Sequence, residues 1–107
     1  MLQNVSYNDT LGGGMIKSFA DVLTEAVFNG NCPKGLPASI VPTARRKLAM
    51  IDAAHELKDL RSPPGNRSHL LKDDRAGQYA IRINDQFRVC FRWRGGDAYE
   101  VAITDYH

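Results

Sequence analysis

Hydrophobic positions along this chain recur at two different spacings, and the change falls near Arg67. Upstream, Val41, Ala44, Leu48 and Ile51 stand three and four residues apart, followed by Leu57 and Leu60, which is the stripe of a helix with one buried face. The spacing predicts one long helix from about Ser39 to Leu60, with His55 extending the edge of its stripe and "SPPGN" ending it. A shorter helix is predicted before it, through Leu23, Ala26 and Val27. Asp21 is its N-cap, and Asn29-Gly30 supplies the left-handed stop. Downstream the period becomes two. "SHLLK", "GQYAIRI", "QFRVCFRW" and "DAYEVAIT" read as strands, and "DDRA", "ND" and "RGGD" between them are turn compositions. An antiparallel meander follows, with helices on one face: an α+β domain.

Alternation assigns the faces. In the third strand Phe87, Val89, Phe91 and Trp93 point to the helices, while Arg88, Cys90, Arg92 and Arg94 take the other side, which is expected to lie open. In the last strand Tyr99, Val101 and Ile103 are expected to share the buried face, against Ala98, Glu100, Ala102 and Thr104. Residues 1–14, polar and ending in three glycines, show no period and are expected to form a flexible extension. The glycines directly before Met15 are compatible with a translated ribosome-binding sequence or a linker, so that residues 15–107 carry the domain.

Composition changes this picture little. At 107 residues, with 43% hydrophobic and 24% charged positions, the chain is sized for one modest core. No apolar run reaches the roughly 18–20 residues of a membrane span and no signal segment opens the chain, so the cytoplasm is expected. Cys32 and Cys90 lack metal-ligand spacing and the density of a disulfide scaffold, which makes both free thiols. A net charge of +2 does not by itself announce nucleic acid. Its distribution matters more, for Arg82, Arg88, Arg92 and Arg94 fall in one short stretch.

On its own, a row of arginines is a solvated sheet face whose stems cover apolar neighbours. Arg88 stands out because it is mid-strand, where an apolar or β-branched residue would serve a small domain better. The meander also brings His69, at its start, toward His107, at its end. Two imidazoles with Lys72, Arg88, Asp105 and Tyr106 around one sheet face suit RNA cleavage without a metal. That reaction needs a base for the 2′-hydroxyl, an acid for the 5′-oxygen and cations for the charge that builds on phosphorus. No metal-ligand cluster, phosphate-cradling loop or nucleophile elbow competes, and no cofactor is called for.

The segments "MIKSF", "PPGNR", "HLLKDDRAGQYAIRINDQFRVCFRW" and "GDAYEVAITDYH" closely resemble the HigB toxins, the killer-protein branch of the RelE/ParE toxin superfamily. The likeness spans Met15 to His107. It implies a RelE-like fold and a type II toxin that cleaves messenger RNA on the translating 70S ribosome. It also implies a helix-turn-helix antitoxin of the HigA kind, through which alone the toxin meets operator DNA. Carried over residue by residue, the family's functional positions fall on His69, Lys72, Arg88, Asp105, Tyr106 and His107. Arg82, Arg92, Arg94 and the helix segment Arg45-Arg46-Lys47 are expected to dock on RNA and the ribosome. The family commonly has glycine where this chain has Asp73, which adds a carboxylate beside Lys72. Another branch of the superfamily, the ParE-like toxins, inhibits DNA gyrase without nuclease chemistry and is the alternative.

Overall fold

The computed structural model describes residues 15–72 and 75–105. Strand β1 (Met15–Ile16) is followed by helix α1 (Val22–Phe28), helix α2 (Val41–Ala53), β2 (His69–Leu70), β3 (Tyr79–Arg82), β4 (Phe87–Arg94) and β5 (Asp97–Asp105). Asp21 caps α1 as its sequence predicts, its side chain accepting the Thr24 N–H at 2.7 Å. At the other end Arg45 of α2 donates from Nε to the Val27 carbonyl and from Nη2 to the Asn31 carbonyl, both at 3.2 Å. This guanidinium ties α2 to the last turn of α1 and to the loop that follows it.

The long helix is shorter than its apolar stripe. It ends at Ala53, with Ala54 extended, and a separate 3₁₀ turn spans Leu57–Arg61. The cause is Asp59, whose Oδ2 accepts the N–H groups of both His55 and Glu56 at 3.0 Å. A continuing helix would give those same N–H groups to the carbonyls four residues back. The two backbone bonds also hold the Asp59 carboxyl below its ordinary pKa. Val41, Ala44, Leu48, Ile51 and Leu60 are all buried even so, because the 3₁₀ turn returns Leu60 to the core. His55 lies beyond the helix and is exposed, not an edge of its stripe.

The five strands run in the order β1-β5-β4-β3-β2. The predicted meander is the antiparallel part, β2 to β5. The unpredicted β1 lies parallel to β5, with Met15 opposite Asp97 and Ile16 opposite Ala98. Two residues cannot display a period, and a parallel partner so distant in sequence leaves no local signal. Beyond β1 the following residues and the start of α1 bond to the β5 edge as far as Ile103. The Ala20 N–H donates to the Val101 carbonyl, the Val101 N–H to the Ser18 carbonyl, the Glu100 N–H to Ser18 Oγ, and the Ile103 N–H to Thr24 Oγ1. An otherwise bare strand edge is thereby covered.

One further departure is in β5. Arg92 pairs with Tyr99 but Cys90 with Ala102, so β5 holds an extra residue, and Glu100 has φ +54°. The bulge breaks the alternation. Ala98, Val101 and Ile103 meet the core, while Tyr99 is turned to the arginine side. Both helices pack on the face carrying Ile81, Phe87, Val89 and Phe91.

Candidate active site

Strand register assigns the opposite face in rows. His69 lies beside Ala80, Ala80 beside Cys90 and Cys90 beside Ala102. One step toward the β3–β4 turn the row is Arg82, Arg88 and Thr104, and one step the other way Arg92 stands beside Tyr99. Strand spacing separates the His69 and Arg88 Cα atoms by roughly 12 Å, within joint reach of one phosphate group for two long side chains. The middle of this face is not open, as alternation alone suggested. Leu71 lies over Ala80 and Cys90, and all three are buried. Cys90 is a free thiol in that small cluster, and Cys32 is an exposed one.

Two arginines side by side on neighbouring strands repel unless other groups offset them. Arg82 pairs with Asp85, and Arg88 donates from Nη1 to the Asn84 carbonyl at 3.1 Å. Asn84 shapes the turn, its Oδ1 accepting the N–H groups of Gln86 and Phe87 at 2.8 and 2.7 Å. Arg82 beside it holds the Asp85 carboxyl below its ordinary pKa, and Arg67 and Arg88 add to the effect. Arg67 therefore belongs to this cationic group, although a sequence reading centred on the strands passed it over. Its signal was position, two residues before His69.

The His69 ring is exposed, and its Nδ1 lies 2.7 Å from the Arg67 carbonyl. Lys72 is exposed nearby in sequence. Asp105 stands at the end of β5 opposite Phe87, on the other parity from Arg88, and its Oδ2 accepts from Gln86 Nε2 at 3.1 Å. Tyr106, His107 and Asp73 lie outside the described residues. At the far end of the face Arg92 pairs with Glu100 at 3.2 Å, and the Arg94 guanidinium lies 4.7 Å from the centre of the Tyr99 ring.

The basic segment of α2 does not form one surface. Arg46 is exposed and Arg45 is engaged with the end of α1, but Lys47 is turned inward, only 7% exposed, its Nζ 2.5 Å from Asn66 Oδ1. That corrects the expectation of three surface cations in a row: at helical spacing Lys47 follows Ala44 onto the buried face. Burial pushes the Lys47 ammonium pKa down, and the nearby charges of Arg46 and Arg82 add to it.

Among the described residues no three His, Cys, Asp or Glu side chains stand together to hold a metal ion. No helix among them is long and apolar enough to cross a membrane.

The model of the RelE-like toxin of type II toxin-antitoxin system HigB matches residues 17–107. The chain belongs to this HigB-like toxin family. Toxin HigB-1 of Vibrio cholerae serotype O1 is 44% identical over 71 residues, 66% of this chain and 70% of the relative. Endoribonuclease HigB of Proteus vulgaris is 35% identical over 97 residues, 87% of this chain and 100% of the relative. A protein of Haemophilus influenzae with no described function is 34% identical over 68 residues, 64% and 67% of the two chains. As a type II toxin, the HigB-like chain is one half of a toxin–antitoxin pair. The RelE-like fold that its sequence resemblance implied, helices on one face of a mostly antiparallel sheet, is the fold observed.

Proposed function

We propose that this toxin is an endoribonuclease that cleaves messenger RNA on the translating ribosome and is restrained by a HigA-like helix-turn-helix antitoxin. The supporting observation is the placement of His69 and Arg88 in adjacent rows of one sheet face, in a chain whose relative from Proteus vulgaris, covered over its whole length, is named an endoribonuclease. His69 and His107 form the proton-transfer pair. One imidazole takes the 2′-hydroxyl proton as the 2′-oxygen bonds to phosphorus; the other protonates the 5′-oxygen as its bond to phosphorus breaks. Lys72 and Arg88 hold the phosphate and offset its extra negative charge in the transition state. Asp105 orients an imidazole or the substrate, and Tyr106 stacks on a base or hydrogen-bonds beside it. Arg46, Arg82, Arg92 and Arg94 contribute distributed contacts to RNA phosphates, whereas Arg45 is held by the end of α1.

The products are a 2′,3′-cyclic phosphate and a 5′-hydroxyl. Primer extension on cells expressing the toxin, with end-group analysis, tests this reading. Cuts inside translated codons with 5′-hydroxyl ends are expected. Cuts that leave 5′-phosphate ends, or replication arrest with intact messages, would overturn it.

A further inference from the structure

The turn before β2 has an unusual build. Pro64–Asn66 forms one 3₁₀ turn and Arg67 follows in the left-handed region at φ +48°, ψ +47°. A non-glycine residue there persists only where surrounding contacts impose it. The contacts belong to Asn66, whose side chain is fully buried. Its Nδ2 donates to the Leu60 carbonyl at 3.0 Å and the Ser62 carbonyl at 3.4 Å, and its Oδ1 accepts from Lys47 Nζ. The Asn66 N–H donates to the Pro63 carbonyl at 2.9 Å and the Arg67 N–H to the Pro64 carbonyl at 3.1 Å. Lys47 is thus a buried cation from the middle of α2 whose ammonium meets a neutral amide. Among the described residues no carboxylate pairs with it. Its hydrogen bond fixes Asn66, and Asn66 fixes the turn from which the Arg67 carbonyl faces the His69 ring.

That carbonyl has a chemical consequence. A carbonyl oxygen only accepts, so at 2.7 Å the facing Nδ1 must carry a proton. Neutral His69 is then the Nδ1–H tautomer and its lone pair is on Nε2. We propose that Lys47 and Asn66 are positioning residues which, through the Arg67 carbonyl, lock His69 as the Nδ1–H tautomer, so that Nε2 is the atom exchanging a proton with RNA. The catalytic half of this proposal rests on the ribonuclease reading above; the tautomer does not.

Nitrogen-15 NMR of the full chain identifies which ring nitrogen of His69 is protonated when the ring is neutral. Wild type should show Nδ1–H, and so should Arg67→Gly, because glycine adopts the left-handed conformation freely and retains the carbonyl. In Lys47→Met and Asn66→Ala, with folding checked by circular dichroism, the signal should move toward a mixture of tautomers. Cleavage of translated message should fall by roughly 10–100-fold, the scale of a reacting group displaced by about 1 Å. Lys47→Met keeps the apolar stem and reports on the hydrogen bond even if Asn66→Ala does not fold. Nε2–H in the wild type would overturn the proposal, as would a folded Lys47→Met that keeps both the tautomer and the cleavage rate. If His69→Gln cleaves like wild type while the tautomer still follows Lys47, the lock stands but Nε2 is not the reacting atom. That result would remove His69 from the nuclease mechanism.

Discussion

Replacing Thr24 by valine should loosen the strand that ends in Asp105. Thr24 is fully buried in α1, and its Oγ1 accepts the Ile103 N–H at 2.9 Å, joining helix to strand across 79 residues of sequence. Valine keeps the shape and the branched Cβ but offers no acceptor, which leaves the Ile103 N–H without its partner. An amide stranded this way costs about 1–3 kcal/mol; as this one is only partly buried, about 1–2 kcal/mol is expected. For a domain of this size that corresponds to a melting temperature lower by roughly 4–16 °C. Thr24→Ser retains the acceptor and loses one methyl group, a cost of about 0.8 kcal/mol. Thermal unfolding by circular dichroism gives the totals, and amide hydrogen exchange resolves the cause. The Ile103 N–H should exchange faster in the valine variant and near the wild-type rate in the serine one. A valine variant within about 0.5 kcal/mol of wild type, with Ile103 still protected, would show that the hydroxyl does not hold β5.

A chain starting at Met15 should unfold within about 0.5 kcal/mol of the full chain, whereas one starting at Lys17 loses the buried Met15 and Ile16 and should be less stable by more than about 3 kcal/mol. Denaturant titration compares them, and equal midpoints for all three would deny β1 a part in the core. Asp59 has a lowered pKa when folded, so its contribution is present above the unfolded value of 3.8 and is lost as pH falls through the lower folded one. Asp59→Asn should therefore be less stable than wild type at neutral pH and lose less on acidification; parallel stability curves from pH 7 to 2 would refute this. A C-terminal tag should impair cleavage more than an N-terminal one, because it crowds His107. Equal activities would count against that residue.

Where one element follows its own local rules, the sequence was legible. The Asp21 cap, the α2 stripe, the four meander strands and the apolar face of β4 all obey a period or a capping preference within a dozen residues. The departures come from groups that reach outside their own pattern. Asp59 ends α2 with a side chain six residues past the last helical position, and the Glu100 bulge reverses Tyr99 against its alternation. Lys47 reads as one of a run of surface cations until Asn66, 19 residues away, receives it. The candidate site divides the same way. His69 and Arg88 are proposed from residue type and strand position, while the Arg67 carbonyl beside His69 is a backbone group that any residue type would supply and so leaves no sequence signal.

The lid that Leu71 forms over Ala80 and Cys90 divides the arginine side of the sheet. β4 is dry on both faces at its centre, so the cations beside it fall into separate stations: Arg67, Arg82 and Arg88 at one end, Arg92 and Arg94 at the other. Arg88 and Arg92 are four residues apart on one strand, roughly 13 Å. A polyanion crossing this surface meets two footholds with a greasy step between them. If this toxin holds RNA as proposed, a grip on the second would set where the strand lies over the first, and the spacing along β4 would act as a ruler without any base being read.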